Sequence, residues 1–263
     1  MSDVNVSPAL VAWHVEGATA EITLDHGPLN LVTPAMLRSL HEAIRSVAAS
    51  DGVRCVIVHG GTARAFCAGS DIREFAHLRA DASERKILIE DMVLRNLARL
   101  PMPTIAAIDG PALGGGLELA LACDLRVCRA GVGLGLTESR LGGLAGSGSV
   151  RLARLIGPAR TKQMLFTGQT ITTDQALAWG VVNEVVAEGS ALDAARRLAA
   201  VICERGPLSC RFGKQLVDMA FDQPLDASLL QSTVFQQQIF DSDDLREGMT
   251  AFFGKRAPVF TGR

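Results

Sequence analysis

Net charge is almost absent from this chain of 263 residues, in which 26 Lys and Arg stand against 28 Asp and Glu for a formal charge of −2. A surface without an excess of one sign has no general hold on a polyanion, so broad nucleic-acid binding and attraction to a membrane surface are disfavoured. Any anionic ligand has to be gripped locally. No Lys or Arg precedes Arg38, so neither a basic signal-peptide start nor an Arg-rich transit peptide is expected. No uncharged apolar run approaches 18 residues, which predicts no membrane-spanning segment. The six cysteines, Cys55, Cys67, Cys123, Cys128, Cys203 and Cys210, form no C-x-x-C pair and sit mostly among apolar neighbours. They read as reduced thiols behaving as small hydrophobes in a soluble cytoplasmic protein.

Several catalytic signatures are missing as well. The five histidines, at 14, 26, 41, 59 and 77, all lie in the first third of the chain, with no H-E-x-x-H and no metal-spaced cluster, which argues against a zinc hydrolase. No G-x-S-x-G elbow offers a serine nucleophile. No G-x-x-x-x-G-K-[ST] occurs, and both Gly114-Gly115-Gly116 and Gly146-Ser147-Gly148 fail at the third glycine of G-x-G-x-x-G, leaving a dinucleotide-binding domain as a minor alternative.

What is present is strand and helix in alternation. Residues 18–24, 53–58, 104–108 and 181–186 read as β-branched strands. Thr33 and Pro34 form a cap and first turn for a helix carrying Met36, Leu37, Leu40, Ile44 and Val47 at helical spacing, ended by Asp51-Gly52. Residues 83–100 read as one helix with Ile89, Met92, Val93, Leu97 and Leu100 on its apolar face. Pro158 opens another helix, and 174–179 a short one ended by Gly180. From 190 onward strands stop, and 190–205, 207–221, 224–240 and 242–253 read as successive helices. The pattern predicts an α/β core over residues 1–190 and a helical region over 191–263.

Glycine is concentrated rather than general: 11 fall within residues 110–148, where an even spread would place about four. Two glycine-containing turns, at 65–75 and 108–124, each run from strand to glycine to helix start. Each can therefore present unpaired backbone N–H groups and the positive end of a helix. Two such donors aimed at one point make an oxyanion hole, which stabilises an enolate or tetrahedral oxyanion without a charged side chain. Glu118 is the most informative acid, a lone carboxylate one turn into a stretch of Leu and Ala, costly to bury unless paired or functional. Asp124 reads as a helix-end residue.

At these segments the chain resembles the crotonase superfamily, the enoyl-CoA hydratase/isomerase family. The resemblance runs through Pro28-Leu29-Asn30, Asp51-Gly52-Val53-Arg54, A-F-C-A-G-S-D-I at 65–72 and I-D-G-P-A-L-G-G-G-L-E at 108–118. It continues in L-F-T-G at 165–168, W-G-V-V-N-E-V-V at 179–186 and E-G-M-T-A-F-F-G-K-R at 247–256, covering nearly the whole chain in family order.

That resemblance implies a spiral of ββα units with a helical C-terminal region that builds a homotrimer or a dimer of trimers. It implies an acyl-CoA thioester ligand and no separate cofactor. Matching position by position places the oxyanion amides at Ser70 and Gly115, so the Ser70 hydroxyl is free to serve as a helix N-cap. Glu118 falls where hydratases carry a glutamate, and Glu138 falls where the family places a second one twenty residues on. Contacts to the acyl group and CoA fall at Arg64, Ala68, Asp71, Ile72, Arg73, Gly114 and Gly142. The two arginines face the pantetheine and phosphates, Lys255 and Phe260 reach a neighbour's adenine pocket, and helix 83–100 covers the acyl chain with Met92 and Leu97 as core. The implied reaction is reversible syn addition of water to a trans-2-enoyl-CoA. One departure stands out: relatives run L-G-x-x-P-G-x-G-G after the second glutamate, whereas residues 141–148 lack the proline and one residue. The alternatives are a double-bond isomerase or a dehydratase of a branched or hydroxylated acyl-CoA, and, from another class, a non-catalytic acyl-CoA- or RNA-binding relative.

Overall fold

The computed structural model describes residues 10–75, 78 and 80–263. In chain order the strands are β1 (Val11–Glu16), β2 (Thr19–Leu24), β3 (Cys55–His59), β4 (Thr104–Ile108), β5 (Ala112–Leu113), β6 (Leu125–Arg129), β7 (Leu134–Gly135) and β8 (Glu184–Val186). The helices are α1 (Pro34–Ala48), α2 (Ile72–Phe75), α3 (Leu88–Ala98), α4 (Gly115–Leu121), α5 (Gly146–Ile156), α6 (Pro158–Thr167), α7 (Thr173–Trp179), α8 (Ala191–Cys203), α9 (Pro207–Asp222), α10 (Leu225–Asp241) and α11 (Asp243–Phe253).

Six strands form one sheet in the order β1-β2-β3-β4-β6-β8, antiparallel at the β1/β2 hairpin and parallel elsewhere. Every residue of β3 and β4 is buried, as expected of parallel strands covered on both faces. Alternation divides them: Val56, Val58, Ala106 and Ile108 join the main core with α1 and α3, while Cys55, Ile57, Ile105 and Ala107 pack with Ala191, Ala194, Ala195 and Ala199 of α8. Alanine on α8 lets the helix lie close to the sheet, so this helix, grouped with the tail in the sequence, covers one sheet face.

Local signals act where the sequence carries them. Thr33 Oγ1 accepts from Met36 N at 3.1 Å to cap α1, whose apolar stripe is buried. Thr172 and Gln175 form a reciprocal capping box on α7, and Gly180 closes it with φ 81°. That closure shortens the strand expected at 181–186: the N–H of Val181 donates to Ala176 O, so Val181 and Val182 finish the helix cap and only Glu184–Val186 pairs with β6. The helix expected over 83–100 opens instead with a wide π-type turn at Ser83–Ile87. Beyond that turn the expected face holds at Val93, Leu97 and Leu100, which are buried together with Leu94, while Met92 is exposed. Asp124 does more than end a helix, since its Oδ2 accepts from Thr104 N and Oγ1 and from Lys214 Nζ, tying β4 to α9.

The smaller two-stranded sheet positions the site. Its strands β5 and β7 run parallel, with Ala112 opposite Leu134 and Leu113 opposite Gly135. Bridges add Cys67 beside Ala112 and Ser70 beside Val32. Segments distant in sequence, at 31–33, 67–71, 112–115 and 134–138, therefore lie in neighbouring turns of the chain.

Asn30 fixes one of these turns from beneath. It is fully buried with φ 47°, and its Nδ2 donates to the carbonyls of Gly60, Ala65 and Phe66 at 3.1, 3.2 and 3.1 Å while its Oδ1 accepts from His26 N. Asn30→Ala leaves buried carbonyls unpaired at ~1–3 kcal/mol each. We expect a loss of about 2–4 kcal/mol in urea unfolding, and an unchanged midpoint would show that these bonds contribute little.

All six cysteines are free thiols, and burial pushes those of Cys55, Cys67, Cys123 and Cys128 up to about 12. Among the described residues no helix is long and apolar enough to cross a membrane.

Candidate active site

Ser70 and Gly115 are brought together by pairing. Cys67 bridges Ala112, and three residues beyond each partner stand Ser70 and Gly115. Gly115 is the first residue of α4, so its N–H has no acceptor one turn back. Among the described residues neither the Ser70 N–H nor the Gly115 N–H donates a hydrogen bond within the protein. The Ser70 hydroxyl does not cap α2. Asp71 does, accepting from Arg73 N at 3.0 Å, while Ser70 Oγ lies 3.6 Å from where a Cβ on Gly115 would sit.

Close approach of these turns explains the glycines. A Cβ on Gly116 would fall 1.9 Å from the carbonyl oxygen of Cys67, and one on Gly114 would fall 2.9 Å from Glu138 Oε1 at a backbone φ of 52°. Only glycine lets the start of α4 pack against both the 65–69 segment and the second acid.

Two carboxylates flank this point. Glu118, one turn into α4, is buried, and its Oε1 accepts from Gly148 N of α5 at 2.6 Å. Burial pushes its carboxyl up to about 7 from an ordinary 4.5, against the pull of the Gly148 N–H and with further upward pushes from Glu90 and Glu138. Glu138 follows β7, whose pairing with β5 sets it beside Gly114. Burial raises its carboxyl too, and its Oε2 is buried with no hydrogen-bond partner. The shortened 141–148 loop is accommodated compactly: Gly142 caps the Glu138–Leu141 turn at φ 73°, Gly143 N donates to Glu138 O, and α5 then begins at Gly146 with its third residue reaching Glu118.

The remaining sequence candidates are spread around this centre. Ala68 is pinned by its N–H to Leu29 O, and Ile72 is exposed at the start of α2. Arg64 is exposed and, among the described residues, makes no ion pair. Arg73 is exposed, and its Nε and Nη2 form a two-pronged pair with Asp71 at 2.8 and 2.6 Å. That pairing holds the Asp71 carboxyl below its usual range.

A third acid was not anticipated. Glu90 of α3 places Oε1 3.1 Å from a Cβ position on Gly115, and its Oε2 accepts from Lys86 Nζ at 2.6 Å. Both side chains are largely buried, and the ammonium also lies 5.5 Å from the centre of the Phe75 ring. The only sequence signal is a Lys and a Glu four apart on a helix, indistinguishable from an ordinary solvated surface pair.

The sequence profile of the enoyl-CoA hydratase/isomerase family matches residues 14–263. The chain is 34% identical to (E)-benzylidenesuccinyl-CoA hydratase of Thauera aromatica, covering 96% of this chain and 99% of that one. It is 32% identical to short-chain-enoyl-CoA hydratase of Clostridium acetobutylicum, covering 92% and 93%. Its structure superposes on the crystal structure of enoyl-CoA hydratase from Bacillus anthracis with a TM-score of 0.92, at 31% identity over 97% of this chain and 100% of that one. The chain belongs to the enoyl-CoA hydratase/isomerase family. Its fold is that of the crotonase superfamily.

Proposed function

We propose that this protein is an enoyl-CoA hydratase, adding water reversibly and with syn geometry across the 2,3-double bond of a trans-2-enoyl-CoA to give a 3-hydroxyacyl-CoA, without a separate cofactor. The observation that carries this reading is the placing, around the start of α4, of two backbone N–H groups without a protein acceptor among the described residues and of two carboxyls raised by burial. The thioester oxygen is held by the amides of Ser70 and Gly115, which polarise the conjugated system and take up the negative charge of the enolate. Losing one such donor typically costs ~3 kcal/mol of transition-state stabilisation.

Proton handling falls to the acids. Glu118, as a carboxylate, takes a proton from water while the oxygen attacks C3, and Glu138, protonated, delivers a proton to C2. Each turnover leaves the proton on Glu118 and the charge on Glu138, and transfer between them resets the pair. Raised carboxyls suit this exchange because two acids in one poorly solvated site can hold a single proton between them. Arg64 supplies a cation for the phosphates of CoA, which a nearly neutral surface otherwise lacks.

The test is loss of conjugated thioester absorbance with a panel of trans-2-enoyl-CoAs of different chain lengths, including one bearing a distal carboxylate, because a relative acts on benzylidenesuccinyl-CoA. Wild type inert on every substrate would overturn the hydratase reading.

We further propose a homotrimer or dimer of trimers of a cytoplasmic protein. Support comes from α9 and α10, which expose Val217, Phe221, Leu225, Leu230, Val234 and Phe240, an apolar surface suited to a second copy. Sedimentation is expected to give a mass of three or six 27.8 kDa chains, and a monomer at micromolar concentration would refute it.

A further inference from the structure

We propose that Glu90 is a positioning residue of this site: its carboxylate, pinned by Lys86 beside Gly115, governs how one proton is shared between Glu118 and Glu138. The inference rests on the two-acid reading above and adds to it a third acid that works through the other two.

The geometry is specific. Consecutive glycines at the start of α4 are flanked by different acids, with Glu138 Oε1 2.9 Å from a Cβ position on Gly114 and Glu90 Oε1 3.1 Å from one on Gly115. Glu118 lies one turn further along the same helix. Three carboxyl groups therefore surround a few residues of backbone inside a poorly solvated space, where charges interact much more strongly than in water. Lys86 is the counter-charge: among the described residues its ion pair is with Glu90, at 2.6 Å, and it is screened from solvent by burial and the Phe75 ring. It therefore holds the Glu90 side chain in place, with Oε1 3.1 Å from the Cβ position on Gly115.

Among the described residues the pair is faced from three sides. Glu118 faces Glu90 and Lys86 from the α3 side, Glu138 from the turn after β7, and Gly148 N and Arg151 from α5. Glu138 faces Glu90 and Lys86. Glu90 also faces the Cys67 thiol, which burial keeps neutral, and its helix neighbour Asp91 is occupied by Arg95 at 2.9 Å. Glu90 pushes both acids toward the protonated form and Lys86 opposes it more weakly. A fixed negative charge at this place holds a proton on the pair at a pH where two isolated carboxylates would have lost both. The hydration cycle needs that one proton, since one acid must accept while the other donates.

The roles of Glu90 and Lys86 predict shifts of opposite sign. In Glu90→Gln the bell-shaped pH profile of kcat is expected to move to lower pH by about half a unit to one unit. In Lys86→Met, with Glu90 left uncompensated, it moves to higher pH. The double variant returns toward wild type, and Lys86→Arg restores it. KM stays within about twofold, since neither residue holds the substrate. A second readout needs no turnover: carbon-13 carboxyl NMR of the ligand-free protein, with Glu118 assigned through Glu118→Gln, should show its titration displaced in the same directions.

If the profile and the titration are unmoved in both single variants, or both move the same way, or the effect is confined to KM, Glu90 is structural and the proposal is wrong. A protein that hydrates no enoyl-CoA but shows the displaced titration would sink the hydratase reading and leave the coupling intact. An active hydratase with an unmoved titration would do the reverse.

Discussion

Glu118→Gln is expected to lower kcat for enoyl-CoA hydration by about 10²–10⁴-fold, the usual worth of a positioned acid or base, and to stabilise the folded protein at the same time. The two effects have one cause. Glu118 is buried and its carboxyl sits up at about 7, so the folded state favours the neutral form. Below about pH 4.5 the carboxyl is protonated in both folded and unfolded chains and imposes no penalty. As pH rises from 4.5 toward 7, the unfolded chain releases the proton while the folded protein retains it, and stability falls. Above 7 the full cost of a buried carboxylate is present, about 3 kcal/mol from a displacement of this size. Glutamine keeps an oxygen for the Gly148 N–H and removes the charge.

Denaturant unfolding of wild type and Glu118→Gln between pH 4 and 8 should therefore show curves that coincide in acid and diverge upward with pH, the inactive variant being the more stable. Equal stability at pH 8 would mean that Glu118 is better solvated than its burial implies. Normal turnover in the variant would remove Glu118 from the mechanism and leave the fold untouched.

Gly116→Ala is the second change with a large expected effect. The new methyl would lie 1.9 Å from the Cys67 carbonyl oxygen, and the obstacle is backbone, so no rotamer relieves it. The start of α4 has to retreat from the 65–69 segment. Overpacking of this kind costs ~1–3 kcal/mol, and the same retreat separates the Ser70 and Gly115 amides. Since removing one oxyanion donor costs ~10²–10³ in kcat, we expect at least that loss alongside a lowered melting temperature. Gly146→Ala is the control, because a Cβ there meets no atom within 4 Å. Full activity in Gly116→Ala would show that the turn has slack.

The sequence exposes this architecture unevenly, for physical reasons. Strands β3 and β4 are legible because burial on both faces demands unbroken runs of apolar residues, and α1 because its cap, proline and apolar stripe agree. Strand β1 carries an alternation in sequence, with Val11, Trp13 and Val15 set against Ala12, His14 and Glu16, but only Val11 of its six residues is buried, so the pattern does not mark a core face. The α4 start and its lone Glu118 stand out because glycine and an acid are both costly in a helix of Leu and Ala. Their assembly with Glu138 depends on β5 and β7, two residues each, far too short for any periodicity. Glu90 is hidden for a different reason. A Lys–Glu pair at helical spacing is common on surfaces, and only the packing of α3 turns this one inward.

The bridge between Cys67 and Ala112 acts as a common origin for two rulers of equal length. One runs three residues to Ser70 and the other three residues to Gly115, and the distance between the two amides is the difference of two short, hydrogen-bonded paths. Insertions elsewhere in the spiral lengthen loops without touching that difference. A single residue inserted between 67 and 70, or between 112 and 115, puts one donor out of step by a full residue. Such a chassis lets the surrounding loops diversify while the spacing of the two amides stays fixed, and it gives designers a simple boundary: six peptide units to leave alone.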